Sequence, residues 1–244
     1  MTDPTSDHTS AAAAGLANDL AAVEHYTARL QATAAALGEP GAPSLCDGWS
    51  RGHVLTHIAR NAEAIGRLAD WAVSGRPQEM YPGGPEAREA QIEAGAGRAA
   101  PELEADVAST AADLRSRLRA LEDGVTADEV EMRGGMLVPA VRLPFMRLRE
   151  VVYHHVDLDA GFTFGDVDDA LLTRFIDDAA ARLRLGHHPP GLDLRADEGG
   201  EWQVGDASTV VTGTLDALLL WLARRIGSGV RSAQGPLPSL PRGA

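Results

Sequence analysis

The sequence predicts an α+β protein: a bundle of four long helices followed by a small α+β domain. Three observations carry that prediction. Apolar residues recur at helical spacing through the first two-thirds of the chain. Beyond residue 163 the pattern shortens to strand-like alternation. Glycine- and proline-rich segments mark the changes between elements.

Residues 1–10 are polar and acidic and are expected to be disordered. A first helix is predicted from about Ser10 to Leu37, with Leu16, Leu20, Val23, Leu30 and Leu37 near helical spacing. The segment from Gly38 to Pro43 breaks it. Ser50 reads as the N-cap of a second helix that runs to about Ser74 along Val54, Ile58, Ile65, Leu68 and Ala72, with Gly75-Arg-Pro77 as its stop. Residues 86–122 read as helix, split near Pro101. A short irregular or β-like piece spans Glu129 to Val141, with Gly134-Gly135 as its turn. A fourth long helix is expected from Pro144, in its first turn, to Leu158. Residues 168–185 form an amphipathic helix through Leu171, Leu172, Phe175, Ile176 and Leu183. Leu192, Leu194 and Ala196, then Trp202 and Val204, alternate with polar residues on either side of Gly199-Gly200, the pattern of a hairpin. Val210 to Thr212 is a third strand, residues 214–226 a last helix, and the proline-rich tail is extended. The domains are therefore 11–163 and 164–244.

With 244 residues the chain can bury a sizeable core. Its 44% apolar and 23% charged composition is that of an ordinary globular protein. The formal net charge is -13, which argues against nucleic acid or anionic lipid as a partner. All 22 basic residues are Arg, so neither a lysine Schiff base nor a P-loop lysine is available. The single cysteine, Cys46, cannot form an intramolecular disulfide. A cytoplasmic location is expected, with no membrane span and a monomer or weak dimer.

One constellation carries chemistry. Glu150 and His154 stand at i and i+4, on one face of the fourth helix, and Asp157 continues that face. His57 on the second helix adjoins the apolar stripe and should point into the bundle. Two histidines and a glutamate from facing helices would leave a metal with open positions, the arrangement of catalytic zinc. The same spacing also describes a solvated ion pair on a helix, and a lone His57 is also the pattern of a core histidine. Cys46 reads as a small buried hydrophobe.

Leu45-Cys-Asp-Gly-Trp-Ser-Arg-Gly-His-Val-Leu-Thr-His57 resembles the D/E-G-W-[ST]-x-x-x-[IV]-x-x-H block of the mycothiol-dependent maleylpyruvate isomerase family. Arg149-Glu-Val-Val-Tyr-His-His-Val-Asp-Leu158 resembles its R-E-x-x-x-H-x-x-D-L block. Met80-Tyr81 with Pro85-Glu-Ala-Arg88, and Gly213-Thr-Leu through Leu222-Ala-Arg-Arg225, are similar to further segments in the same order. Glu89 departs from the pattern, standing where the family has Asn. The resemblance implies a DinB-like four-helix N-terminal domain with a small C-terminal domain. It implies zinc, or another divalent metal, on His57, Glu150 and His154, with His53 and His155 outside the ligand set. Asp157 becomes a residue that orients a ligand histidine or assists the thiol. Arg225 becomes a clamp for a substrate carboxylate, with Arg224 as its neighbour and rival. The implied partners are a small-molecule thiol, mycothiol or one like it, and a small anionic substrate. The implied reaction is cis–trans isomerisation of maleylpyruvate to fumarylpyruvate. Alternatives are a thiol S-transferase acting on another electrophile, a non-catalytic metal-binding module, and metal-assisted hydrolysis.

Overall fold

The structure is a computed structural model that describes residues 4–241, with side chains described from residue 14. Of residues 1–10, expected to be disordered, 1–3 lie outside this description, and from Pro4 the backbone is helical. The chain divides into two compact units, residues 1–160 and 161–244.

The first unit is helical. Its long helices are α1 (Pro4–Ala35), α2 (Arg51–Ser74), α4 (Ala100–Arg119) and α5 (Leu143–Asp157), and the shorter α3 is Gly84–Ala96. α1 and α2 each pack against both α4 and α5, which closes a four-helix bundle, and α3 lies on α2. Leu30, Ile58, Ile65, Leu68, Leu103, Leu118 and Leu148 are fully buried between them. Each such side chain contributes about 1.5–3 kcal/mol on leaving water.

Local chemistry sets the ends of α2. The Ser50 side chain accepts from the His53 N–H, and the His53 ring reaches back to the Ser50 N–H at 3.1 Å. That is a capping box in which an imidazole replaces the usual Glu or Gln. At the other end Gly75 takes φ 70° and returns its N–H to the Trp71 carbonyl, a conformation that glycine adopts without a Cβ clash. The split expected near Pro101 falls at residues 97–99. There the Glu102 carboxylate accepts from the Ala99 N–H at 3.0 Å and starts α4.

The irregular piece after α4 is a two-stranded hairpin, β1 (Glu129–Glu131) with β2 (Leu137–Pro139). Gly134 and Gly135 both have positive φ in its loop, which explains two glycines in a row at that point. Val130, fully buried, faces α2.

The second unit contains α6 (Asp169–Leu185), α7 (Leu215–Arg224) and a four-stranded sheet in the order β4-β3-β5-β6. β3 (Leu192–Ala196) and β4 (Glu201–Val204) form the expected antiparallel hairpin. β5 (Thr209–Gly213) runs parallel to β3, and β6 (Arg231–Ser232) closes the edge. α6 and α7 pack on each other and on the sheet, burying Phe175, Ile176, Leu194, Val211 and Leu218. The molecule is thus an α+β protein with a helical N-terminal bundle and a small C-terminal sheet domain. No helix among the described residues is long and apolar enough to cross a membrane.

Candidate metal centre

The N-terminal third of α2 and the C-terminal half of α5 face each other inside the bundle. His57, one turn beyond the capping box, is buried, as the stripe of Val54, Ile58 and Ile65 requires. Its Nε2 lies 3.1 Å from Glu150 Oε2. One turn along α5, His154 Nε2 lies 3.5 Å from the same oxygen. The two imidazoles meet edge to face with centroids 4.5 Å apart. One donor atom from each of the three residues lies within 4.8 Å of the others.

These separations suit a metal. Bonds of 2.0–2.1 Å in tetrahedral geometry put adjacent donors about 3.3 Å apart. Two imidazole nitrogens and one carboxylate oxygen are also the donor types that zinc and similar divalent ions accept.

A carboxylate stands behind His154. Asp157, fully buried at the end of α5, brings Oδ2 to 2.7 Å from His154 Nδ1. At that distance the carboxylate pairs with the imidazole and favours a proton on Nδ1. The Cys46 thiol donates to the same oxygen at 3.1 Å. Cys46, His154 and Asp157 form a second compact group of donors that shares His154 with the first. Two main-chain ties hold this arrangement. The Leu45 N–H donates to the Asp157 carbonyl at 2.9 Å. Arg51 donates to the carbonyls of Leu158 and Asp159 at 2.7 and 2.5 Å. Trp49 lies over both imidazoles, 5.5 Å from His57 and 6.5 Å from His154.

The protonation pattern follows from these neighbours. Burial lowers His57 to a pKa of about 4, helped by the charges of His154 and Arg88. Burial also opposes charge on His154, but contacts with Asp157, Cys46 and Glu150 outweigh it and raise its pKa well above the ordinary value. Burial would raise Glu150, yet hydrogen bonds from His154 and His57 hold it well below the usual carboxylate range. In the metal-free protein His57 is therefore neutral, Glu150 ionised and His154 a cation.

Sequence reasoning gives Arg88 no role. It closes the Pro85-Glu-Ala-Arg88 segment, but an arginine in the second turn of a half-exposed helix is ordinary, and spacing does not single it out. In the fold its Nη2 donates to His57 Nδ1 at 3.0 Å, and its guanidinium lies 5.4 Å over the Tyr81 ring. With Nδ1 accepting, the network assigns the His57 proton to Nε2, facing Glu150. The Cys46–Asp157 contact is equally invisible in the sequence, because 111 residues separate the partners.

The remaining named residues lie elsewhere. His53 caps α2 and pairs with Glu93 at 3.1 Å. His155 is buried against the Thr33 hydroxyl at 2.7 Å. Glu89 is solvent-facing, 3.8 Å from Arg88. In the second unit Arg225 ends α7 with a left-handed φ of 64°. Its guanidinium donates to the carbonyls of Leu222 and Pro241. Arg224 donates to its neighbour's carbonyl, that of Ala223.

A helical bundle with a His₂Glu donor set on facing helices, followed by a small sheet domain, defines a class of two-domain proteins with a metal-type donor cluster in the bundle. The particular family follows from comparison. Residues 23–159 match the family profile described as the mycothiol maleylpyruvate isomerase N-terminal domain. The crystal structure of a mycothiol-dependent maleylpyruvate isomerase superposes with a TM-score of 0.86 at 30% identity, covering 93% of this chain and 96% of that one. A histidine-to-alanine mutant of a mycothiol-dependent maleylpyruvate isomerase gives the same TM-score and coverage at 29% identity. No curated protein sequence matches. The chain belongs to the mycothiol-dependent maleylpyruvate isomerase family.

Proposed function

We propose that this chain is an enzyme that isomerises maleylpyruvate to fumarylpyruvate with mycothiol, using a divalent metal, zinc by preference, held by His57, Glu150 and His154. The observation that carries this reading is the convergence of those three donors on one point, with a buried carboxylate already set behind one histidine. When bound, metal and thiol would together supply a sulfur nucleophile at neutral pH, whose reversible addition to the cis double bond permits rotation before elimination.

The chain's own residues have distinct tasks. His57 and His154 offer neutral nitrogens, and Glu150 offers negative charge that offsets the ion. Asp157 keeps the proton of His154 on Nδ1, so that Nε2 is the donor nitrogen. Trp49 covers the imidazoles and limits water around them. With His57 Nε2 given over to a metal, its proton sits on Nδ1 and Arg88 must release that nitrogen. Two donors cannot face each other, so the guanidinium becomes available to a substrate carboxylate beside the centre. Arg225 is a second proposed carboxylate clamp, and it would have to give up its two carbonyl contacts to act. Cys46 is no nucleophile in this scheme: its thiol serves Asp157.

A thiol panel tests the proposal. Maleylpyruvate is offered with mycothiol, glutathione or no thiol, and loss of the cis isomer is followed. Turnover with mycothiol alone is expected. Conjugates with other electrophiles, without isomerisation under any thiol, would assign the same centre to S-transfer. In parallel, His57→Ala should lose stoichiometric zinc by elemental analysis, and full retention would overturn the ligand assignment.

A further inference from the structure

Away from the metal centre, a cavity of about 260 Å³ opens between α1 and α4. Leu20, Val23, Leu114 and Leu118 form its apolar wall. Alanines at 28, 108, 111 and 112 keep it open, because no longer side chain fills the space between the helices. Among the lining residues is Arg147 of α5, one of the largest fully buried side chains in the unit.

Arg147 is unusual for a buried cation. Its hydrogen bonds among the described residues go to neutral oxygens, the Ile58 carbonyl at 3.0 Å and Asn61 Oδ1 at 2.6 Å. Its Nε has no partner there. Burial lowers its pKa to about 10 even with Glu150 near enough to favour the charge. A buried guanidinium without a hydrogen-bonded anion is costly, and an anion that reached it would relieve that cost. At the rim Arg115 adds a second positive charge. Glu24, the one acid among the described lining residues, is already paired with Arg119 at 2.7 Å.

We propose that the α1–α4 cavity is a second ligand site, for a small monocarboxylate with an aliphatic tail. The carboxylate pairs with Arg147 at depth and with Arg115 at the rim, and the tail lies along the leucines and alanines. The volume equals that of about nine liquid waters, which suits a ligand of roughly ten non-hydrogen atoms. The site shares no ligand residue with the metal centre.

Octanoate is a suitable probe, because its ten heavy atoms match the space, and 1-octanol is its uncharged counterpart. Calorimetric titration of the full-length protein should show saturable 1:1 octanoate binding, at least tenfold tighter than 1-octanol. Chelating the metal should not abolish it, although Glu150, freed of metal, lies near enough to Arg147 to shift the affinity. Ala112→Leu, which fills the cavity from an exposed position, should weaken octanoate tenfold or more. Arg115→Ala should weaken octanoate but not 1-octanol. Because Arg147 is buried, its replacement could simply unfold the bundle, so the two rim variants carry the test. Equal affinity for acid and alcohol, indifference to Ala112→Leu, loss of binding on chelation, or no binding at millimolar octanoate would each overturn the proposal.

Discussion

Among single residues, His57 has the clearest thermodynamic signature. Folded, it titrates at about 4, whereas unfolded it returns to the ordinary 6.5. Between those values the unfolded chain binds a proton that the folded chain refuses. The His57 contribution to stability is thus complete above pH 6.5 and is lost as pH falls toward 4, a loss of about 3 kcal/mol. Glu150, depressed in the fold, adds a further loss below its ordinary value. His154, raised in the fold, acts in the opposite sense and only above 6.5. The metal-free protein should therefore be markedly less stable to urea at pH 4.5 than at pH 7, and His57→Gln should flatten the difference. An unchanged slope in that variant would refute the assignment. Because His154 is a cation at neutral pH without metal, zinc binding should also expel about one proton. Calorimetry in buffers of different ionisation enthalpy measures that number. Proton uptake, or none, would contradict a cationic His154.

Between elements, the decisive contact is the seam between α2 and α3. A Cβ on Gly52 would sit 2.1 Å from the Ala96 carbonyl oxygen, and one on Gly95 would strike Thr56 at 2.5 Å. The two helices touch through bare backbone, which sets the depth of α3 and hence the reach of Arg88 to His57. Gly52→Ala should destabilise the fold by about 1–3 kcal/mol. If the activity is as proposed, it should also raise KM through Arg88 more than a change of similar stability cost away from that seam, such as Val107→Ala in the core face of α4. Equal KM effects from both would show that the depth of α3 does not govern Arg88. Most elements were legible because their signals are local: Ser50 opens α2, Gly75 closes it, and Pro144 sits in the first turn of α5. The parallel pairing of β5 with β3 was not, since register between strands far apart in sequence comes from packing rather than from turn chemistry. The candidate trio was half legible. Spacing on one helix for Glu150 and His154, and the apolar stripe beside His57, made the three possible ligands, and only the resemblance assigned all three. The contacts made by Arg88 and Cys46 join distant segments and leave no periodic trace.

At the scale of the molecule, charge is the dominant property. A net charge of -13 surrounds a centre proposed to receive an anionic substrate. Long-range repulsion slows that encounter, and local arginines act only within about a Debye length. The kcat/KM for maleylpyruvate should accordingly rise as salt increases from about 10 to about 150 mM, and a steep fall instead would point to attractive steering. In the first unit, the loop before α2 is fastened to the end of α5 by bonds from Leu45 and Arg51 to main-chain carbonyls, independent of any ion. The two ligand-bearing helices are thus held together by the polypeptide itself, unlike a zinc finger, whose fold is assembled by its metal. Little of the binding energy of the proposed ion would then be diverted into folding, so the scaffold would keep its shape without that ion and would take up different ions with affinities ranked by ligand chemistry alone.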